Sequence, residues 1–203
     1  MPEAKAPPLP FEWDDLARYK AEGRFLDGYP ANRRTFFSPR DHIDQLLRSL
    51  LASAQHSIVL NMYGYADEEL DQIIHQKLET EHVYVQMNLD KSQSKGVSES
   101  KVLADWKNTF IGNSIAIGTS SKHAISHLKV VIVDGVYTVS GSTNWSISGE
   151  TEQDNQLTLD RSAVIASEMR AVLDLNHDEM LKQMAKAREI ELAKAAKEAA
   201  DGK

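Results

Sequence analysis

The pair Asp134-Gly135 constrains the fold of this chain more than any other feature. It sits between two β-branched runs, Val130-Val131-Ile132-Val133 and Val136-Tyr137-Thr138-Val139. Asp-Gly in that setting signals a two-residue hairpin turn, because both central residues must take positive φ, which Asp and Gly tolerate and Val does not. The turn predicts a register: Val133 opposite Val136, Val131 opposite Thr138, Lys129 opposite Ser140 and His127 opposite Ser142. Side chains alternate faces along a strand, so His127 and Lys129 share one face, and this register puts Ser140, Ser142 and Asn144 on it with them. An imidazole, an ammonium, a hydroxyl and an amide then converge at one end of the hairpin. The set suits a phosphate: Lys is a point charge, Ser and Asn are neutral donors, and His is a nucleophile or proton carrier.

Around this hairpin the pattern is that of an α/β domain. Ser38-Pro39-Arg40-Asp41 reads as a helix start, followed by Ile43, Leu46, Leu47 and Leu50 at helical spacing. Ser57 to Tyr63 reads as a strand, Asp67 to Leu78 as a helix, and Val83 to Leu89 as a second strand. That order implies a parallel crossover. A polar loop, Asp90 to Ser100, precedes a helix over Val102 to Phe110. Short strands follow at Ser114 to Ile117 and Gln156 to Leu159. Residues 161 to about 200 read as helix, with an apolar stripe of Val164, Ile165, Met169, Val172, Leu173, Met180 and Leu181.

Three regions result: an N-terminal arm, 1–35, with a short helix carrying Trp13, Leu16 and Tyr19 on one face; a domain, 36–184; and a charged, Ala-rich helical or disordered tail, 185–203. No internal repeat is evident.

The chain has 203 residues, Lys+Arg 23 against Asp+Glu 30, and no cysteine. A cysteine-free chain has no disulfide framework, no thiol nucleophile and no Cys-ligated metal, and it fits a cytoplasmic location. No signal peptide or membrane-spanning run is expected. The formal net charge of -7 argues against a protein that coats polyanions, but not against a local basic groove. His123 and His127 form an H-x3-H pair without a third suitably spaced ligand, so no metal site is expected. Phosphate-loop, dinucleotide and G-x-S-x-G fingerprints are absent.

His127, Lys129, Asp134, Gly141, Ser142 and Asn144 together spell H-x-K-x4-D-x6-G-S-x-N. Six residues at fixed spacing arise by chance about once in 10⁵–10⁶ sequences of this length. The pattern resembles the signature of the phospholipase D superfamily. The resemblance extends over roughly Phe36 to Met184 and includes Phe37-Ser38-Pro39 and the crossover. It implies a phospholipase D-like α/β fold: a mixed β-sheet flanked by helices, a single domain, with the N-terminal arm and a C-terminal helix as additions.

It also implies roles. His127 is the nucleophile and forms a covalent phosphohistidine. Lys129, Ser142 and Asn144 bind the phosphate. A carboxylate after the motif orients the imidazole; Asp154 occupies that place, with Glu152 in reserve. Asp134 and Gly135 read as turn residues, and Gly141 as a site of close backbone approach to the ligand.

The reaction implied is metal-independent phosphodiester hydrolysis without a cofactor. A single motif supplies one imidazole, whereas nucleophile and proton donor require two, so a homodimer with a shared active site is expected. Chains with one motif resemble the bacterial endonucleases of the superfamily. The expected substrate is therefore DNA or RNA, cleaved with little sequence specificity. Lys91, Lys95, Lys101, Arg33 and Arg34 are candidates to line its path, and no stable membrane association is expected. The alternatives are hydrolysis of a phosphatidyl substrate, and a non-catalytic nucleic-acid or protein binding module that kept the fold.

Overall fold

Alternating apolar strands and amphipathic helices fold here into one mixed sheet with helices on both faces. The computed structural model of the chain describes residues 7–93 and 115–201. After a 3-10 helix, Trp13–Tyr19, come β1 (Arg33–Ser38), α1 (Ile43–Ala52), β2 (Ser57–Met62), α2 (Glu68–Glu79), β3 (Tyr84–Asp90), β4 (Ile115–Gly118), β5 (Lys129–Val133), β6 (Tyr137–Gly141), α3 (Ile147–Thr151), β7 (Asn155–Arg161) and α4 (Ala163–Asp201). The expected helix over Val102 to Phe110 lies outside the described residues.

The sheet order is β1-β7-β6-β5-β2-β3-β4. β2, β3 and β4 run parallel, and β2 with β5 and the β5-β6-β7-β1 half pair antiparallel. The predicted crossover from β2 through α2 to β3 is present. One face of the sheet, including Leu60, Met62, Val131, Val139 and Leu157, packs on α1, α2 and the 3-10 helix. The arm's Trp13, Leu16 and Tyr19 are buried in this cluster, as their common face predicts.

The hairpin differs from its predicted register by one residue. Val133 pairs with Tyr137, Val131 with Val139 and Val130 with Ser140. Asp134 and Gly135 do take positive φ, 53° and 64°, and the N–H of Val136 donates to the Val133 carbonyl at 3.1 Å. Val136 is then left out of the β5–β6 ladder, and its carbonyl instead accepts from the N–H of Ser162 at 2.9 Å. This extra residue moves Ser140 off the face of Lys129 to the opposite one, since a slip of one residue reverses the face.

The first helix also begins later than predicted. Ser38-Pro39 is a cis peptide, and α1 starts only at Ile43. Asp41 does not cap the helix. Its carboxylate accepts from the N–H groups of Phe37 (2.8 Å) and Ala21 (3.0 Å) and from Lys20 Nζ (2.5 Å). Burial pushes the Asp41 pKa up, but Lys20 and the two N–H groups outweigh it and hold it below its ordinary value.

The other face of the sheet packs on α4, whose 39 residues span roughly 58 Å. The buried seam is Ala166, Leu173, His177 and Met180, whereas Val164 and Val172 of the predicted stripe face outward. The sheet face explains this: beside Val59, Val130 and Ile132 it presents the fully buried Asn61 and Asn88. Asn88 Nδ2 donates to the Leu173 carbonyl at 2.8 Å, His177 Nδ1 lies 2.6 Å from Asn88 Oδ1, and Asn176 Nδ2 donates to Asn61 Oδ1 at 3.2 Å. Polar partners on the sheet call for polar residues on the helix, so hydropathy alone misassigns the seam.

Glu150 of α3 is 1% exposed, and neither carboxyl oxygen has a hydrogen-bond partner among the described residues. Burial first, then the nearby Asp67 carboxylate, pushes its pKa from 4.5 up to about 9; Asp44 adds to this and Arg48 opposes it. The folded state thus holds a proton that the unfolded chain releases near pH 4.5, so this group makes stability fall as pH rises toward 9. Glu150→Gln mimics the protonated form. In urea unfolding, the variant should gain on the parent progressively from about pH 5 to about pH 9. A stability difference that does not change with pH would show that Glu150 is already ionised in the fold.

Candidate active site

Asp134 sets the position of the hairpin. Its carboxylate accepts from three consecutive N–H groups at the entrance to β2: Gln55 at 3.0 Å, His56 at 2.7 Å and Ser57 at 2.9 Å. The turn is thereby held to β2, and β5 pairs with β2 from Ile58–Val133 to Met62–Lys129. The motif residues His127 and Lys129 are delivered to the other end of the same strand.

At that end Lys129 is 7% exposed. Its ammonium donates to the His127 carbonyl at 3.0 Å and lies 4.9 Å from the ring centre of Tyr63. No carboxylate pairs with it among the described residues. Burial alone lowers its pKa. The His127 ring is exposed and packs edge-on against the same Tyr63, with centroids 4.6 Å apart. Tyr63 accepts at its hydroxyl from Gln93 Nε2 at 2.9 Å. The tyrosine thus contacts both the imidazole and the ammonium. Sequence reasoning missed this role; the only signal was its place directly after the β2 run.

The second half of the motif stitches the neighbouring loop into place. Asn144 Oδ1 accepts from the N–H of Gly64 at 3.3 Å. Trp145 exchanges backbone hydrogen bonds with Gly64, Ala66 and Asp67, and its side chain is buried against Tyr65 at 5.9 Å, a core role as expected. The close approach that Gly141 permits is that of β7: a Cβ there would lie 2.1 Å from the Gln156 carbonyl oxygen.

Ser142 donates to Asn155 Oδ1 at 2.8 Å and accepts from the N–H of Gln156 at 3.0 Å. Asp154 is exposed at the entrance to β7, beside Asn155. Among the described residues, no hydrogen bond joins His127 to Ser142, Asn144, Asp154 or Glu152.

The basic candidates are dispersed. Lys91 directly follows β3 and is exposed, with its N–H on the Gly118 carbonyl at 2.7 Å. Arg33 forms a two-pronged pair with Asp160, 2.7 and 3.0 Å, and this hydrogen bond raises its pKa. Arg34 donates to the carbonyls of Pro30 and Arg33, both at 2.7 Å, and lies over Trp13. Five strand spacings separate β1 from β3, about 24 Å. Lys95 and Lys101 lie outside the described residues.

Comparison with known proteins fits this architecture. A family model described as cardiolipin synthase, PLD-like domain, matches residues 47–176. Curated protein sequences give no match. The phospholipase D family member Nuc from Salmonella typhimurium is similar in structure, with a TM-score of 0.61 and 22% identity over 72% of this chain and 94% of its own. NucT from Helicobacter pylori gives 0.59 and 20%, over 74% and 95%. A phosphatidylserine synthase from Haemophilus influenzae gives 0.53 and 12%, over 79% and 47%.

The motif's aspartate is therefore expected to act on stability. Asp134→Ala leaves three N–H groups without their acceptor, which should cost about 1–3 kcal/mol and lower the melting temperature by several degrees. Asp134→Asn keeps one acceptor oxygen and should recover part of the loss. Calorimetry on the three proteins checks this; an Ala variant as stable as the parent would remove the staple from the account.

Proposed function

The chain belongs to the family of cardiolipin synthase, PLD-like domains, and from that footing we propose that it is a metal-independent phosphodiesterase that cleaves DNA or RNA through a covalent phosphohistidine. Lys129 carries the reading. A buried ammonium with no carboxylate partner among the described residues is costly unless an anion arrives, and it stands beside an accessible imidazole. A phosphodiester supplies that anion.

His127 attacks phosphorus, the N–P bond forms, and the bond to the leaving oxygen breaks. Lys129 holds the non-bridging oxygens as charge develops on them, helped by the Ser142 hydroxyl and the Asn144 amide. The leaving oxygen takes its proton from a second imidazole, His127 of a second copy across a twofold axis. Water then cleaves the phosphohistidine while the proton returns. Asp154 accepts from the imidazole in the assembled site, fixing its tautomer and stabilising its positive form.

Two observations support a nucleic acid over a lipid. The chain carries one motif, and it covers nearly the whole length of Nuc and NucT but under half of the phosphatidylserine synthase. The family's description keeps a phosphatidyl substrate as the second reading.

Incubation with labelled oligonucleotide, plasmid and phosphatidyl vesicles, chelator present, separates the readings. Cleavage of nucleic acid with vesicles untouched is expected; the reverse would favour the lipid, and neither would favour a binding module. His127→Ala should lose at least about 10³-fold in turnover yet keep substrate binding. Lys129→Ala should lose about 10²–10³-fold by weakening charge stabilisation.

Excess His127→Ala chains mixed with wild type, once subunits exchange, should depress activity to the fraction of wild-type homodimers. A fall in mere proportion to the diluted wild-type chain would place nucleophile and acid in one subunit, with His123 the first residue to replace.

A further inference from the structure

A cleft of about 750 Å³ lies between the N-terminal arm and the loop residues Ser142 and Asp154 that flank β6 and β7. Phe25 and Tyr29 from the arm and Phe37 from β1 line it, with Arg24 and Arg40 beside them. Ser142 and Asp154, which the sequence motif assigns to the active site, also line it. Phe25 and Tyr29 stand with ring centroids 5.3 Å apart, and Phe37 is 46% exposed, so one ring of the cleft is open to a ligand. Phe25 and Tyr29 belong to the N-terminal arm, outside the family match over residues 47–176.

Its charge limits the occupant. Lys20 also lines the cleft but is spent on Asp41. Arg24 and Arg40 are exposed and in no ion pair among the described residues, and Glu22 and Asp154 line the same walls. The cleft is thus close to neutral. A duplex backbone calls for a continuous row of cations, and an acyl chain calls for a wall without guanidinium or carboxylate groups. An exposed Phe37 beside the half-buried Phe25 and Tyr29, with two guanidinium groups lining the same cleft, suits an uncharged base with a phosphate on either side.

We propose that the arm builds a stacking subsite for one unpaired nucleotide beside Ser142 and Asp154, so that the chain acts on single-stranded nucleic acid; this rests on the nucleic-acid reading above. The base stacks on Phe37, Phe25 and Tyr29, while Arg24 and Arg40 contact the flanking phosphates. Stacking accepts any base, in keeping with little sequence specificity.

Fluorescence anisotropy tests this in the His127→Ala background, where nothing turns over, with a fluorescein-labelled single-stranded oligonucleotide, its duplex and an abasic strand. Adding Phe37→Ala and Arg24→Ala should weaken single-strand binding about tenfold. The duplex should bind less tightly than the single strand to the parent protein, and the abasic strand should respond far less to Phe37→Ala. With His127 intact, the same two substitutions should leave hydrolysis of bis(p-nitrophenyl) phosphate, which carries no base, unchanged.

Equal single-strand affinity with and without the substitutions overturns the subsite, as does an abasic strand that responds equally to Phe37→Ala. Stacking-dependent binding without hydrolysis of any phosphodiester would leave the subsite standing and defeat the proposed catalysis. Hydrolysis of bis(p-nitrophenyl) phosphate with unchanged oligonucleotide binding would do the opposite.

Discussion

A single carboxylate orders the centre of this molecule. Asp134 accepts three N–H groups where β2 begins, and so fixes the β5–β6 turn against the strand that β5 must pair with. β5 lies between β2 and β6, so fixing its register aligns both halves of the sheet. From Asp134 back to Lys129 is five residues, about 17 Å of extended chain. The four unspecified residues between lysine and aspartate in the motif are thus the length of β5, and the six between aspartate and Gly141 are the turn and the return strand. The motif encodes a hairpin anchored at one end and chemically armed at the other.

The other end is electrostatically unfinished. Lys129 is buried deeply enough to lower its pKa, yet its contacts are a carbonyl oxygen and the face of Tyr63. Such an arrangement costs stability in the free protein. In the proposed reaction an arriving phosphodiester would remove the cost, so that binding and charge stabilisation would draw on the same deficit. Asn144 and Trp145 serve this indirectly. By bonding to Gly64 and Asp67 they hold the loop that begins at Tyr63, and Tyr63 in turn contacts both His127 and Lys129.

Much of this was legible in the sequence because local chemistry and tertiary demand agreed. The Asp-Gly turn, the β2–α2–β3 crossover and the Asp67 cap of α2, which accepts from Glu69 and Leu70, all follow from residue type and spacing. The failures have a common form: a polar residue took a distant partner instead of a local one. Asp41 looked like part of a helix start, but Lys20 and Ala21 recruit it. Val136 looked like the first residue of β6, but Ser162 holds its carbonyl. The stripe of α4 followed hydropathy, whereas Asn61 and Asn88 on the sheet pair with Asn176 and His177. The candidate site divided along the same line. The motif named His127 and Lys129 through spacing alone; Tyr63, whose contacts are all long-range in sequence, left no pattern to read.

The formal charge of -7 bears on the proposed nucleic-acid substrate. A polyanion gains little from long-range attraction to a chain of the same sign, and the described basic residues predicted to line a path are spread or already engaged, Arg33 with Asp160 and Arg34 with backbone carbonyls. Recognition must then rest on short-range contacts. Lys129 offers one, desolvated and without a competing carboxylate. The aromatic cleft offers another that needs no net charge, because stacking acts on the base rather than the backbone. Under the proposed reading, an acidic domain whose buried Lys129 has no carboxylate partner among the described residues, beside a near-neutral stacking wall, favours a strand whose bases are already exposed, since a duplex presents to it little but phosphate.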